Sequence, residues 1–192
     1  MGTRGIRNNN PLNIRHSADK WEGARINQTD PSFVQFTSMA YGYRAAWKLL
    51  DSYWKHFKNI RKPYTVSNIV HRWAPPTENN TEAYAKTVIR LTSLGGMENL
   101  PRPFVGISID KLVRLLRAMT TVECGIPYNQ VSEAEIWEGY RLAFPGKLKK
   151  CQRNAVYNGT TGMEPFRIEL TDEDKHKYPG YDEYWDWSAA VV

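Results

Sequence analysis

Residues that hold metal ions or build disulfide frameworks are scarce in this sequence. It contains two cysteines, Cys124 and Cys151, and four histidines, and the histidines show no metal-ligand spacing. Two cysteines exclude a disulfide-rich scaffold and a cysteine-based metal cluster, and leave a single disulfide as the remaining option. A glycine-rich phosphate-binding loop is missing as well. The sequence therefore predicts no metal site and no other cofactor.

Long hydrophobic runs are also missing. No stretch approaches the ~20 apolar residues that a membrane-spanning helix needs. Residues 1–7 lack the apolar segment of a secretion signal, so no Sec signal is predicted. We therefore expect a chain that is synthesised in the cytoplasm in soluble form. If it acts in a virion, in the periplasm or on a cell wall, another system delivers it there.

Charge is abundant and unevenly distributed. The net charge is +6, but residues 164–192 hold eight acidic and three basic residues, a balance of −5, so residues 1–163 carry +11. A basic body favours a polyanionic partner, which could be nucleic acid, a membrane surface or a bacterial wall polymer. No nucleic-acid-binding module is recognisable, and nucleic acid is therefore not favoured. The seven Trp and eleven Tyr residues suit either core packing or a sugar-binding groove.

Apolar residues recur at helical spacing in five segments, which predicts a mainly α (α+β) protein. A small β element is expected within the polar residues 1–37. The expected helices start after Ser38, after Thr65, at a Thr81 cap that leads to a stop at Gly95-Gly96, at about residue 109, and after Ser132 with a stop at Pro145. Residues 1–146 are predicted to form one domain. A linker and an acidic, aromatic extension follow over residues 147–192.

Glu123 stands at the predicted end of the fourth helix, directly before Cys124 and Gly125. A helix C-terminus carries partial negative charge, so a carboxylate there should have a raised pKa, and apolar neighbours would raise it further. A raised pKa suits a general acid that donates a proton to a glycosidic oxygen. The same field disfavours Cys124 as a thiolate nucleophile. The alternative is an ordinary surface acid beside a helix stop.

Three motifs carry a resemblance to known families. Residues 118–128 (AMTTVECGIPY) resemble the "helix, Glu, any residue, Gly" signature of lysozyme-like muramidases and lytic transglycosylases. Residues 5–15 (GIRNNNPLNIR) and 72–84 (RWAPPTENNTEAY) resemble phage virion proteins and prophage-encoded wall hydrolases, and the likeness covers roughly residues 4–144. The resemblance implies a lysozyme-like domain that cleaves peptidoglycan glycan strands, with Glu123 as its acid/base.

The order of the motifs is similar to that of bacterial glucosaminidases, except that the helix bearing the catalytic Glu comes last instead of first. This implies a circularly permuted lysozyme-like domain, which is feasible where chain termini lie close together. The glucosaminidases carry a functional Tyr where this chain has Trp73, and an indole cannot replace a phenol as a proton donor or acceptor. The resemblance therefore leaves open which bond is cut and whether the product is hydrolysed or is a 1,6-anhydro sugar.

Further site candidates come from the same motifs. Glu78 is a second catalytic carboxylate or a substrate-positioning group opposite Glu123, or else an acid that stabilises a helix start. The other candidates are substrate-binding groups, each with an alternative in turn chemistry or core packing: Asn9, Asn10, Asn13, Trp73, Tyr84 and Tyr128.

Two other functions remain compatible with the sequence. One is a non-catalytic structural protein of a virion. The other is the same hydrolase used as an injected antibacterial effector. In each case the acidic extension over 164–192 is a candidate for docking to other virion or secretion-machine proteins, or for inhibition, because its charge opposes that of residues 1–163.

Overall fold

The computed structural model describes residues 2–103 and 109–145, together with the backbone of three short strands farther along the chain. The described residues are mainly helical, which confirms the predicted class. The helices are α1 Arg4–Arg7, α2 Met39–Asn59, α3 Val66–Trp73, α4 Thr81–Thr92, α5 Ile109–Cys124 and α6 Glu133–Ala143, with a 3₁₀ turn at Tyr128–Gln130 before α6.

The three strands form a small antiparallel sheet in the order β1-β2-β3. They are β1 Lys149–Lys150, β2 Phe166–Ile168 and β3 Tyr184–Trp185. All three lie in the segment predicted as linker and extension. The remainder of that segment, and with it the predicted docking role of the acidic tail, lies outside the described residues.

Side-chain caps fix three helix starts where the sequence places them. The side-chain oxygens of Ser38, Thr65 and Ser132 each accept a hydrogen bond from the backbone N–H three residues later, at 3.4, 3.2 and 3.3 Å. Such a cap satisfies one of the N–H groups that the first turn of a helix leaves without a partner. The starts of α2, α3 and α6 are therefore confirmed.

The limits of α4 differ from the prediction. Asn80 is the cap, and its side chain accepts from the N–H of Ala83 at 3.1 Å. Thr81 is already helical and buried, and its hydroxyl donates to the carbonyl of Ala74 at 2.5 Å. The helix ends at Thr92, before the two glycines, because Ser93 adopts a left-handed conformation with φ 55°. Asn is as good a cap as Thr, which is why the sequence did not distinguish them.

The N-terminal β element is reduced to isolated bridges. Residue pairs Arg15–Phe33 and Ala24–Phe36 form single antiparallel bridges, and no strand is present in residues 2–37. Asparagine side chains take the place of a ladder: the amide of Asn10 donates to the carbonyls of Ile14 and Val34 at 2.9 and 2.8 Å. Side chains that satisfy the backbone in this way allow an irregular loop to be buried.

Packing between α2 and α6 forms the centre of the core. Trp47 is completely buried, its indole N–H donates to the carbonyl of Ile136 at 3.0 Å, and its ring meets Tyr140 edge-on at 5.1 Å. The helices touch at Gly139, where a Cβ would lie 2.5 Å from that of Tyr43. On the other side α5 contacts α1, α4 and α6. This arrangement carries the end of α5 to the N-terminal loop.

Candidate functional site

Helix α5 ends with Glu123 in its last turn. Its buried face anchors the helix in the core, and Gly125 follows it in a left-handed conformation with φ 63°. The N–H of Gly125 donates to the carbonyl of Thr121 at 2.9 Å, which closes the final turn. Glycine adopts this conformation at no steric cost and commonly ends helices. Glu123 is half-buried there.

Two side chains from distant parts of the sequence donate hydrogen bonds to the Glu123 carboxyl. The hydroxyl of Tyr84, on α4, donates to Oε1 at 3.0 Å. The amide of Asn13 donates to Oε2 at 2.9 Å and to the backbone carbonyl of Glu123 at 3.2 Å. Both of those partners are acceptors, which fixes the amide with its nitrogen toward Glu123. The acid is thus held by the N-terminal loop and by α4.

The N-terminal loop lies in close contact with the end of α5. A Cβ at Gly5 would lie 2.7 Å from the sulfur of Cys124 and 2.8 Å from the carbonyl of Asn10, so only glycine fits there. The thiol of Cys124 donates to the carbonyl of Pro11 at 3.2 Å. Asn13 itself has a positive φ of 48°, a conformation that asparagine tolerates better than most residues. Together these contacts place the Asn13 amide against the carboxyl.

Burial raises the pKa of Glu123 above its ordinary value, and the hydrogen bonds from Asn13, Tyr84 and Trp73 oppose that rise. Burial disfavours the charged form, whereas donors stabilise it. Burial also raises the pKa of Tyr84, with the neighbouring Glu123 charge as a further cause, so its hydroxyl stays protonated. The Cys124 thiol has its pKa raised to about 11, chiefly by burial, and is not a thiolate at neutral pH. Cys124 forms no disulfide.

Trp73 reaches the same carboxyl from the end of α3. Its indole N–H lies beside the carboxyl and acts to lower the pKa of Glu123. Its ring is half-buried and meets the ring of Tyr53, on α2, edge-on at a centroid distance of 6.0 Å. Glu123 also has a phenol beside it, because Tyr84 supplies one.

Glu78 does not join this group. It lies in the loop between α3 and α4, where its side chain is 63% exposed and forms an ion pair with Arg15 at 3.1 Å. Tyr128 is half-buried beside the end of α5. The guanidinium of Arg117 lies over its ring at 4.5 Å and also donates to its backbone carbonyl at 2.9 Å. Neither residue makes a hydrogen bond to Glu123.

The three asparagines that were predicted to bind substrate have different roles in the structure. Asn10 is completely buried, and its amide is used within the loop, so it offers no atom to a substrate. Asn9 is half-buried and donates to the carbonyl of Phe36 at 3.1 Å. Asn13 alone contacts Glu123. Asn9 and Asn10 therefore shape the loop that carries Asn13.

Sequence reasoning did not single out Tyr53 or Arg72. The guanidinium of Arg72 lies over the ring of Tyr53 at 4.8 Å, next to Trp73. Tyr53 falls on the helical spacing of α2 and is easily taken for a core residue. The adjacency of Arg72 to Trp73 was the available signal.

Neither a metal centre nor a membrane span is visible in the described ranges. Among them, no three His, Cys, Asp or Glu side chains are grouped so that they could hold a metal ion. None of the described helices has the length and apolar character needed to cross a membrane.

Comparison of the sequence with known proteins identifies a phage relative. No family model matches the sequence. The sequence is similar to Protein P5 of Pseudoalteromonas phage PM2, with 32% identity over 146 residues, which are 74% of this chain and 83% of that protein. With this identity over most of both chains, the protein belongs to the family of the phage protein P5.

Proposed function

We propose that the protein cleaves glycan strands of bacterial peptidoglycan, with Glu123 as the general acid. One observation carries the proposal: a half-buried carboxyl with a raised pKa stands at a helix end and receives hydrogen bonds on both of its oxygens. A general acid works best when its pKa lies near the operating pH. The motif resemblance of residues 118–128 supports the same role and a lysozyme-like fold, and the order of the motifs along the chain supports its circular permutation.

The surroundings of Glu123 suit both stages of a proton transfer. Before the transfer, burial favours the protonated acid that cleavage of a glycosidic bond requires. After it, the carboxylate receives hydrogen bonds from Tyr84 and Asn13, which stabilise the new charge. Tyr84 and Asn13 are thus positioning residues that act through Glu123. Trp73, which also contacts this carboxyl, is the candidate to touch a sugar ring.

The family relationship supports a setting for this reaction. A phage relative favours action from a virion, or on the cell wall of a host bacterium, over the alternative of an injected effector. The basic charge of residues 1–163 suits an anionic wall polymer.

Cleavage of purified peptidoglycan tests the proposal. Wild-type protein should clear a peptidoglycan zymogram, and Glu123→Gln should lower the rate by about 10²–10⁴-fold, because the amide has the same shape without a transferable proton. Glu78→Gln is the matched control and should retain the rate within about threefold, since it alters only an exposed ion pair. Equal rates for wild type and Glu123→Gln would contradict the assignment.

A second candidate, a structural virion protein, is favoured by the same contacts. A glutamate that ties the N-terminal loop and α4 to the end of α5 is also a useful structural link. In that case wild-type protein would cleave no wall preparation, and Glu123→Gln would mainly lower the temperature of unfolding. The two measurements therefore separate the candidates.

A further inference from the structure

A row of side chains leads outward from the Glu123 carboxyl. Trp73 lies beside the carboxyl. The Tyr53 ring meets the Trp73 ring edge-on at 6.0 Å, and the Arg72 guanidinium lies over the Tyr53 ring at 4.8 Å. The row ends in a positive charge on an exposed residue. An aromatic surface beside the acid, followed by a cation, is a suitable arrangement for a sugar ring that bears an anionic substituent.

The charge of Arg72 is available to a ligand. In the ranges 2–103 and 109–145, Arg72 makes no ion pair, and its contact is with the ring of Tyr53. Most other arginines near the site are engaged: Arg15 pairs with Glu78, and Arg117 pairs with Glu133. A guanidinium that lies over a ring keeps its N–H groups free at the edge, where they can bind a carboxylate through two parallel hydrogen bonds.

We propose that Arg72 and Tyr53 form an anion-binding subsite for the carboxylates of the peptide stems on a glycan strand. This inference rests on the proposed function and adds a substrate preference to it. In a strand that carries its stems, the sugar rings present hydroxyl and acetamido groups, whereas the negative charge lies on the peptides. The subsite therefore distinguishes strands whose stems carry free carboxylates from strands in which those carboxyl groups are amidated.

The subsite acts on binding and leaves the acid unchanged. The charge of Arg72 is not among the causes that shift the pKa of Glu123. Loss of Arg72 should therefore raise KM on stem-bearing strands and leave kcat and its pH profile as in the wild type. A residue that merely supported the fold near Glu123 would alter the pH profile instead.

Sedimentation with insoluble peptidoglycan tests the subsite without any need for cleavage. Protein carrying Glu123→Gln is mixed with intact peptidoglycan and with the same insoluble material after its free carboxyl groups have been converted to amides. We expect tighter binding to the intact material. Arg72→Gln in the same background should lower the ratio of the two binding constants by about two- to fivefold. Arg90→Gln is the charge-matched control, because Arg90 is an exposed residue in the last turn of α4, and it should keep the preference.

Two substitutions at Tyr53 test the ring. Tyr53→Phe keeps the aromatic face under Arg72 and should keep the preference, whereas Tyr53→Leu should reduce it as Arg72→Gln does. The subsite is supported if protein with Arg72 binds the intact material more tightly and protein with Arg72→Gln binds both materials equally. An unchanged preference in Arg72→Gln overturns it, as does the absence of any preference in protein that retains Arg72. Failure of the wild type to cleave would overturn the proposed function and leave this binding result to decide the subsite.

Discussion

The end of α5 and the loop between α3 and α4 each present one glutamate, in opposite surroundings. Glu123 is half-buried, with hydrogen-bond donors on both oxygens and a raised pKa. Glu78 is mostly exposed, and it forms an ion pair with Arg15, whose side chain is 69% exposed. The same side chain thus has a raised pKa in one region and forms a solvated ion pair in the other. Burial and the supply of donors make the difference, and both come from the N-terminal loop and α4.

Gly5→Ala should give the largest change in stability, because the surroundings of Glu123 depend on close contact at Gly5. The new methyl group would overlap the sulfur of Cys124 and the carbonyl of Asn10. Overpacking of this kind typically costs about 1–3 kcal/mol in the free energy of unfolding. Urea denaturation measures it.

Gly95→Ala is the control for that substitution. The nearest atoms to a Cβ at Gly95 belong to Glu98 and begin at 3.5 Å, an ordinary contact. Its free energy of unfolding should stay within about 1 kcal/mol of the wild type. If the two variants were equally stable, the N-terminal loop would not be held against α5 as described.

Tyr84→Phe should leave Glu123 buried but with one hydrogen-bond donor fewer. The change removes the donor to Oε1, so the pKa of Glu123 should rise further. The protonated acid would then persist to higher pH, and the alkaline limb of the pH profile of cleavage should shift to higher pH. The lost hydrogen bond should cost about 1 kcal/mol in stability. Tyr41→Phe is the control, since the Tyr41 hydroxyl makes no hydrogen bond in the described residues, and it should leave the pH profile in place.

The raised pKa of Glu123 also predicts how stability changes with pH. The folded pKa lies above the ordinary value of 4.5, so the folded state holds this proton more tightly than the unfolded state does. The contribution to stability is complete below about 4.5 and is lost as the pH rises through the folded pKa. Wild-type protein should therefore lose stability relative to Glu123→Gln across that window in thermal unfolding.

Asp30 should change stability with pH in the opposite direction. The Arg4 guanidinium and further donors hold the pKa of Asp30 well below its ordinary 3.8. Its contribution is present above the unfolded pKa and is lost as the pH falls toward the folded pKa. Relative to wild type, Asp30→Asn should therefore be least stable near neutral pH. Identical pH dependence for the two variants would contradict the assigned shifts.

Glu78→Gln should give the smallest effect on stability. The ion pair with Arg15 is exposed at both ends, and such pairs contribute roughly 0–1 kcal/mol. High salt should abolish even this difference, because exposed charges are screened. Arg15→Gln should match it, and the double variant should be no worse than either single one. A loss above about 2 kcal/mol would show that Glu78 is held as firmly as Glu123.

The helices and the position of Glu123 were predictable because both depend on local signals. Apolar residues at steps of three or four mark each helix, and Ser38, Thr65 and Ser132 mark three starts. Gly125 marks the end of α5. These signals lie within a few residues of what they determine, so the sequence alone reveals them.

The partners of Glu123 were less predictable because they depend on contacts between distant residues. Asn9, Asn10 and Asn13 are alike in sequence, and only the folded loop turns Asn13 toward the acid while it buries Asn10. The N-terminal β element was expected from a short apolar run, but residues 2–37 form single bridges, and the Asn10 amide satisfies two further backbone carbonyls there. Side-chain direction in an irregular loop has no periodic signal.

The hydrogen bond between Asn13 and Glu123 joins residues that are 110 positions apart, and the bond from Tyr84 spans 39. During synthesis the asparagines leave the ribosome first, Tyr84 follows, and the acid arrives last. A nascent chain that stops before residue 123 has every donor but no carboxyl for them to hold. Assembly of these contacts is therefore a late event, and a chain released before residue 123 cannot form any of them.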